Sequence, residues 1–264
     1  LLNSKEQPIR RDERIGKRVS RLRYTLAMKT KLSYSRTPIL LLLCFLLVAC
    51  APSPTPQLTA KQIAQQASAK MLAVKTLHFT MDLQGRSKVI DPLGALVLRR
   101  AEGDLASPDK AQSKIKVAIS GLIVEVRAIG IGDKQWMTNP LTQRWEPLPA
   151  NWGYNPAVLF DGQKGIPSLL SRVENLQRRE DEPYEGKNHY RLTGKIAGKE
   201  VAPFTAYMIT GSEVSFTLWL GADDFLIRKI VINEKDGDAP EATEWVMVLS
   251  AFDKPVNIAA PVVQ

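Results

Sequence analysis

Side chains able to do chemistry are few in this 264-residue chain, and their spacing is uninformative at all but one place. Only two histidines occur, His78 and His189. Each sits in a stretch read as a strand, and neither stands one helical turn from a second ligand as a zinc-binding pair would. Surface or capping roles suit both. Adjacent carboxylates occur at Asp223-Asp224 and Glu180-Asp181-Glu182, but neighbours in an extended chain point to opposite faces. Both stretches read as solvated turns. Asp236-Gly237-Asp238 begins like a calcium loop and lacks the remaining oxygen ligands at the spacing such a loop needs. A Gly-x-Ser-x-Gly elbow, a phosphate loop and a dinucleotide fingerprint are all missing. The expectation is therefore a protein that is not an enzyme, with no catalytic residue, no metal and no cofactor.

The informative position is Cys50. It closes a run, Ile39 to Val48, that has no charge and no polar side chain beyond Cys44, and that follows Lys29, Lys31 and Arg36. A short apolar segment behind a positive flank reads as a secretory signal, too short to be a spanning helix. Leu47-Val48-Ala49-Cys50 resembles the bacterial lipobox, in which the cysteine thiol is diacylated and cleavage leaves that cysteine as the first residue. An ordinary signal peptide with an incidental cysteine, or a short buried helix, is the competing reading. The following Ala51-Pro52-Ser53-Pro54-Thr55-Pro56 argues against both, since a proline at every second position forms a tether and cannot hold a packed helix or strand. Cys44 would leave with the signal, so the mature chain would carry Cys50 alone and form no internal disulfide.

Charge divides at the same point. Residues 1–49 hold 11 of the 36 Lys and Arg and 3 of the 27 Asp and Glu, so almost all of the net +9 lies in the leader. A balanced remainder offers no excess positive charge with which to track phosphates, which excludes nucleic acid as the partner. Met28 immediately precedes the basic flank, so residues 1–27 read as a mis-called upstream extension. The expected organisation is that extension, a lipoprotein signal peptide over 28–49, acylated Cys50 with its tether over 50–57, and one domain over 58–264. A length near 200 residues suffices for a sizeable core in a single domain. No second long apolar segment follows, which excludes a multi-span transporter.

Periodicity gives the elements of that domain. Thr59-Ala60-Lys61-Gln62 has capping-box spacing, and Ile63, Ala67, Met71 and Val74 recur on one helical face. From Leu77 the period becomes two, with Leu77, Phe79, Met81 and Leu83 apolar between His78, Thr80, Asp82 and Gln84. Alternation returns at Ile115, Val117 and Ile119, at Val214 to Leu220, and at Trp245, Met247 and Leu249. Turns are read at Asp91-Pro92-Leu93-Gly94, Ser107-Pro108-Asp109 and Gly221-Ala222-Asp223-Asp224. Prolines interrupt residues 139–155, and a second amphipathic helix with Ile166, Leu169, Leu170 and Val173 starts near Pro167. Strands resume from Leu176, so two helical segments interrupt an otherwise β chain. No repeat with a period of 20 to 50 residues is present.

The stretches Gly130-Ile131-Gly132-Asp133-Lys134-Gln135-Trp136-Met137, Trp152-Gly153-Tyr154-Asn155-Pro156 to Asp161, Gly165-Ile166-Pro167-Ser168-Leu169-Leu170 and Leu218 to Ile230 resemble the LppX/LprAFG family of bacterial lipoproteins. The order of lipobox, tether, helix, β-meander, Leu-Leu insertion and closing strands matches too, and the resemblance spans roughly 58–254. It implies an α+β fold, a strongly curved antiparallel β-sheet in a half-barrel with helices covering the concave face and enclosing an apolar cavity, similar to the LolA/LolB carriers. It further implies a protein that binds acylated lipid or glycolipid and carries or presents it across the envelope. The partners implied are that lipid ligand, the membrane through acylated Cys50, and envelope export machinery. The chain would be exported and lipid-anchored, facing the periplasm or the exterior. Cavity-lining residues are expected among Phe79, Met81, Val117, Ile119, Val124, Val126, Phe216 and Leu218 on the sheet. Ile166, Leu169 and Leu170 are expected over the mouth, with Trp136, Trp152 and Tyr154 at it. The competing readings are a tethered structural or sensory lipoprotein with a solid core and no ligand and, third, an enzyme, which a converging cluster of polar side chains inside the cavity would revive.

Overall fold

The computed structural model describes residues 57–91, 94–148, 158, 165–205, 207–209, 211–235 and 242–263. Cys50, the proline-rich tether, Trp152, Tyr154 and Asp236-Gly237-Asp238 lie outside the described residues.

The domain begins with helix α1 (Ala60–Ala73), and its start is fixed by the expected reciprocal cap. Thr59 Oγ1 accepts a hydrogen bond from the Gln62 amide at 3.3 Å, and Gln62 Oε1 accepts one from the Thr59 amide at 2.9 Å. Two donors that a helix start otherwise leaves unpaired are thereby satisfied. The buried face carries Ile63, Ala64, Ala67 and Met71.

Twelve strands follow: β1 (Thr76–Gly85), β2 (Lys88–Val89), β3 (Val97–Ala106), β4 (Lys110–Ile119), β5 (Leu122–Ile131), β6 (Lys134–Thr138), β7 (Trp145–Pro147), β8 (Glu174–Tyr184), β9 (Lys187–Ala197), β10 (Glu213–Gly221), β11 (Ile227–Glu234) and β12 (Thr243–Ser250). They form one antiparallel sheet in the order β7-β6-β5-β4-β3-β1-β12-β11-β10-β9-β8, with β2 added beside β3. Two meanders, β3 to β7 and β8 to β12, are thus joined through β1, and β7 never meets β8. The sheet curls without closing, as a half-barrel. Tight hairpins suit its right-handed twist. Ser120-Gly121 and Glu185-Gly186 both place two successive residues at positive φ, the two-residue turn that matches twisted strands.

At one end the sheet splits. β1 stays with β12 as far as Gly85, whereas β2 takes its place beside β3 through Lys88 and Val89. Lys88 Nζ lies 2.9 Å from the fully buried carboxylate of Glu234, which also accepts from the Gly211 amide at 3.1 Å and from Trp245 Nε1 at 3.3 Å. Burial of that charge is tolerable because it is paired and hydrogen-bonded.

Among the described residues two short helical pieces cover the concave face: α2 (Ile166–Leu169), continued by a 3₁₀ turn over Leu170–Arg172, and α3 (Gly198–Val201), continued by a 3₁₀ turn over Ala202–Thr205. The helix read from Pro167 is therefore a turn or two long, because Val173 is already extended and β8 starts at Glu174. The helical piece at 198–205 is a further one that periodicity did not indicate. Glu180-Asp181-Glu182, expected in a turn, lies inside edge strand β8, where the register slips between Arg179 and Glu182. Arg178 pairs with Asp181 at 2.6 Å and Arg191 with Glu182 at 2.7 Å.

Candidate functional site

Register across the sheet shows how the concave face is built. On one side of β1, Met81 is followed by Ala101 and Ile115, Phe79 by Gly103, Ser113 and Ala128, and Leu77 by Leu105, Ala111 and Gly130. On the other side, Met81 is followed by Met247, Ile230, Leu218 and Leu192. One half of the concave face therefore carries many small side chains, between Leu105 and Ile115, and the row on the other half carries large ones. Close packing needs volume that Ala, Ser and Gly do not supply. The shortfall appears as an apolar cavity of about 590 Å³, within the range of small-molecule pockets.

The cover is apolar as well. Ile166, Leu169, Leu170 and Val173 from the α2 segment, with Val201 and Phe204 from the α3 segment, border the cavity. Tyr207, also on its border, is 70% exposed and marks its rim.

Two of the polar side chains on the wall, Asp91 and Thr205, are engaged locally. Asp91 is the one carboxylate among the described lining residues, and its two oxygens accept from the Leu96 amide at 2.6 Å and the Ala95 amide at 3.2 Å. Thr205 donates to the Ala202 carbonyl at 3.2 Å and accepts from the Ile209 amide at 3.3 Å. Among the described lining residues no acid is paired with a base, and apolar side chains make up most of the wall, which favours desolvation of apolar surface. Among the described residues no group of three or more His, Cys, Asp or Glu side chains is placed to hold a metal ion.

The convex face carries the charge. Arg100 reaches Asp82 at 2.6 Å and Glu102 at 3.4 Å, which raises its pKa, the Asp82 hydrogen bond being the largest cause. His78 Nδ1 lies 2.8 Å from Asp104. Burial alone would raise the Asp104 pKa, but hydrogen bonds from Gln112 and His78 together outweigh it and hold the carboxyl below its usual range. His189 differs from the surface or capping role expected of it. It is buried, with Nδ1 at 2.8 Å from the Lys187 carbonyl oxygen and its ring edge-on to Tyr184 at 5.5 Å.

Of the residues singled out in the sequence, Phe79, Met81, Phe216 and Leu218 line the cavity from the sheet, and Ile166, Leu169 and Leu170 from above. Trp136 borders it too, although register pairs it with Ile129 on the face opposite Gln135 and Met137. Val117, Ile119, Val124 and Val126 do not line it, and here the expectation is corrected. They lie where β4 and β5 meet in a hairpin and pack with Leu96 and Ile90 into a second, smaller core, because bulky side chains at that end fill their own space. Among the wall residues that sequence reasoning missed are the small ones, Ala101, Ala111, Ser113, Ala128 and Gly130. Their signal was present as small residues recurring at every second position of β3, β4 and β5.

A model of the LppX_LprAFG lipoprotein family matches residues 59–258, the whole of this sheet and its cover. This chain belongs to that family. Among its relatives, the lipoarabinomannan carrier protein LprG of Mycobacterium tuberculosis strain H37Rv is 22% identical over 212 residues, covering 80% of this chain and 85% of that protein. The crystal structure of LprF from Mycobacterium bovis covers 76% of this chain and 96% of its own, at a TM-score of 0.60 and 17% identity. That of the Mycobacterium tuberculosis lipoprotein LppX covers 75% and 97%, at 0.53 and 20%. LppX_LprAFG members and this chain thus share the half-barrel fold. No helix among the described residues is long and apolar enough to cross a membrane.

Proposed function

We propose that this LppX_LprAFG lipoprotein binds the acyl chains of a lipid or glycolipid in its concave cavity and carries or presents that lipid across the cell envelope. The observation that carries the reading is the cavity itself, apolar on wall and cover, with Asp91 on its border already hydrogen-bonded. Burying each methylene of an acyl chain is worth about 0.8 kcal/mol, so a chain of ordinary length gains affinity without polar recognition. A cavity of this volume favours a carrier over a tethered module with a solid core. Relatives named as carriers of lipoarabinomannan support a glycolipid cargo. Acylation at Cys50 would hold the exported protein on its membrane, and envelope export machinery would be its further partner.

The domain over residues 58–264, in which the buried core of the described residues runs from Ile63 to Ile258, is the form to test. Native mass spectrometry of that domain, purified from a host with ordinary phospholipids, should show acylated species bound at near one per protein. A clean apo mass, unchanged after incubation with lipid extract from the source organism, would refute the carrier reading.

A further inference from the structure

One stripe on the convex face departs from the polar pattern around it. Register aligns Val89, Val97, Ala118 and Ile123 in a single row across β2, β3, β4 and β5, on the face opposite Leu98, Val117 and Val124. At the end of this row, the tip of the β4–β5 hairpin holds Leu122 at 71% and Ile123 at 60% exposure, and the β6–β7 turn adds Leu141 at 84%. The turn is fixed beside the hairpin. Gln143 Nε2 donates to the Glu125 carbonyl at 3.1 Å, and Asn139 Oδ1 accepts from the amides of Leu141 and Thr142 at 3.0 and 3.1 Å. Three large aliphatic side chains are thereby presented to water by ordered backbone.

The surrounding charge is cationic. Lys114 and Arg127 stand directly opposite each other across β4 and β5, a like-charge pairing that costs stability. Lys116 lies beside them and Arg144 in the turn, all four exposed. Nearby carboxylates are fewer: Glu125 faces Lys116, Glu146 accepts from Asn139 at 3.1 Å, and Glu102, opposite Lys114, is engaged by Arg100. An aliphatic tip within a cationic collar matches the headgroup region of an anionic bilayer. Apolar side chains enter the acyl boundary while Lys and Arg keep their heads at the phosphates. A stable protein partner would ask for a broader face than a hairpin end.

We infer that the β4–β5 hairpin tip and the β6–β7 turn form a membrane contact separate from any lipid on Cys50, which seats the domain on an anionic bilayer. Val89, at the far end of the stripe where the sheet splits, also borders the cavity. The contact stands on the tip and its charges alone and does not depend on what the cavity holds.

Flotation of the unacylated domain with phosphatidylcholine vesicles, with and without phosphatidylglycerol, tests it. The domain should float with the anionic vesicles, and combining Leu122→Asn, Ile123→Asn and Leu141→Asn should lower the bound fraction about tenfold. Circular dichroism and lipid occupancy by native mass spectrometry should stay unchanged in that variant. Lys114→Gln with Lys116→Gln and Arg127→Gln should abolish the preference for phosphatidylglycerol and the salt dependence of binding. Failure of the parent domain to bind either vesicle overturns the inference, and so does equal binding by the asparagine variant. Self-association that the asparagine substitutions abolish, in a domain that ignores vesicles, would also overturn it and assign the tip to a second copy of the chain.

Discussion

A methyl group added at Gly194 would lie 2.5 Å from Val173 Cγ1 and 2.9 Å from Phe216 Cζ. Gly194→Ala should therefore displace a cover residue and a wall residue and destabilise the domain by about 1–3 kcal/mol in urea denaturation. Ala128 is the opposite case, since a larger side chain there grows into empty volume. Ala128→Leu should leave the urea midpoint unchanged or higher while lowering lipid occupancy in native mass spectra, and undiminished occupancy would show that cargo does not use that part of the cavity. Asp104 sets a pH dependence. Its folded-state pKa is depressed by Gln112 and His78 against the effect of burial. Its contribution is thus present above the unfolded value of about 3.9 and is lost as pH falls through the lower folded value. Asp104→Asn should flatten the acid branch of stability below pH ~4, and superimposable acid branches would show that the carboxylate carries none of it.

At the level of elements, α1 owes its start to the cap at Thr59. Thr59→Ala should cost about 1 kcal/mol, read as a shifted denaturation midpoint and faster amide exchange in the first turn of α1. That helix was legible because the capping box and the apolar face lie close together in sequence. β1 was legible because Leu77, Phe79, Met81 and Leu83 alternate with polar residues that meet water on the convex face. Elements that obeyed other demands were not. β3 carries Ala101 and Gly103 where a strand ordinarily carries branched or aromatic residues, since the interior there is left open. In β8 the run Glu180-Asp181-Glu182 resembles a turn because an edge strand with a slipped register is solvated and ion-paired. The 198–205 segment is too short to show a helical period. The small-residue part of the cavity wall was hidden for a related reason, because large apolar residues make alternation visible whereas small ones make the space.

For the molecule as a whole, an open half-barrel ends, among the described strands, in two edges, β7 and β8, and a strand edge is a template for pairing by other chains. β7 has three residues and ends at Pro147, and β8 carries five consecutive charges, Arg178 to Glu182, with Pro183 behind them. Short length, proline and charge are the devices that blunt an edge. The fold can therefore hold its sheet apart around a cavity without inviting assembly. That cavity has a thermodynamic signature in volume. Internal void eliminated on unfolding makes the volume change of unfolding more negative, so hydrostatic pressure acts against a hollow fold more strongly than against a filled one. The domain stripped of lipid should unfold at lower pressure than the loaded domain, followed by tryptophan fluorescence in a high-pressure cell. Coincident pressure midpoints for the two forms would mean that cargo does not occupy the void. Compression thus weighs the emptiness between the two halves of the sheet, a property that heat and urea report only indirectly.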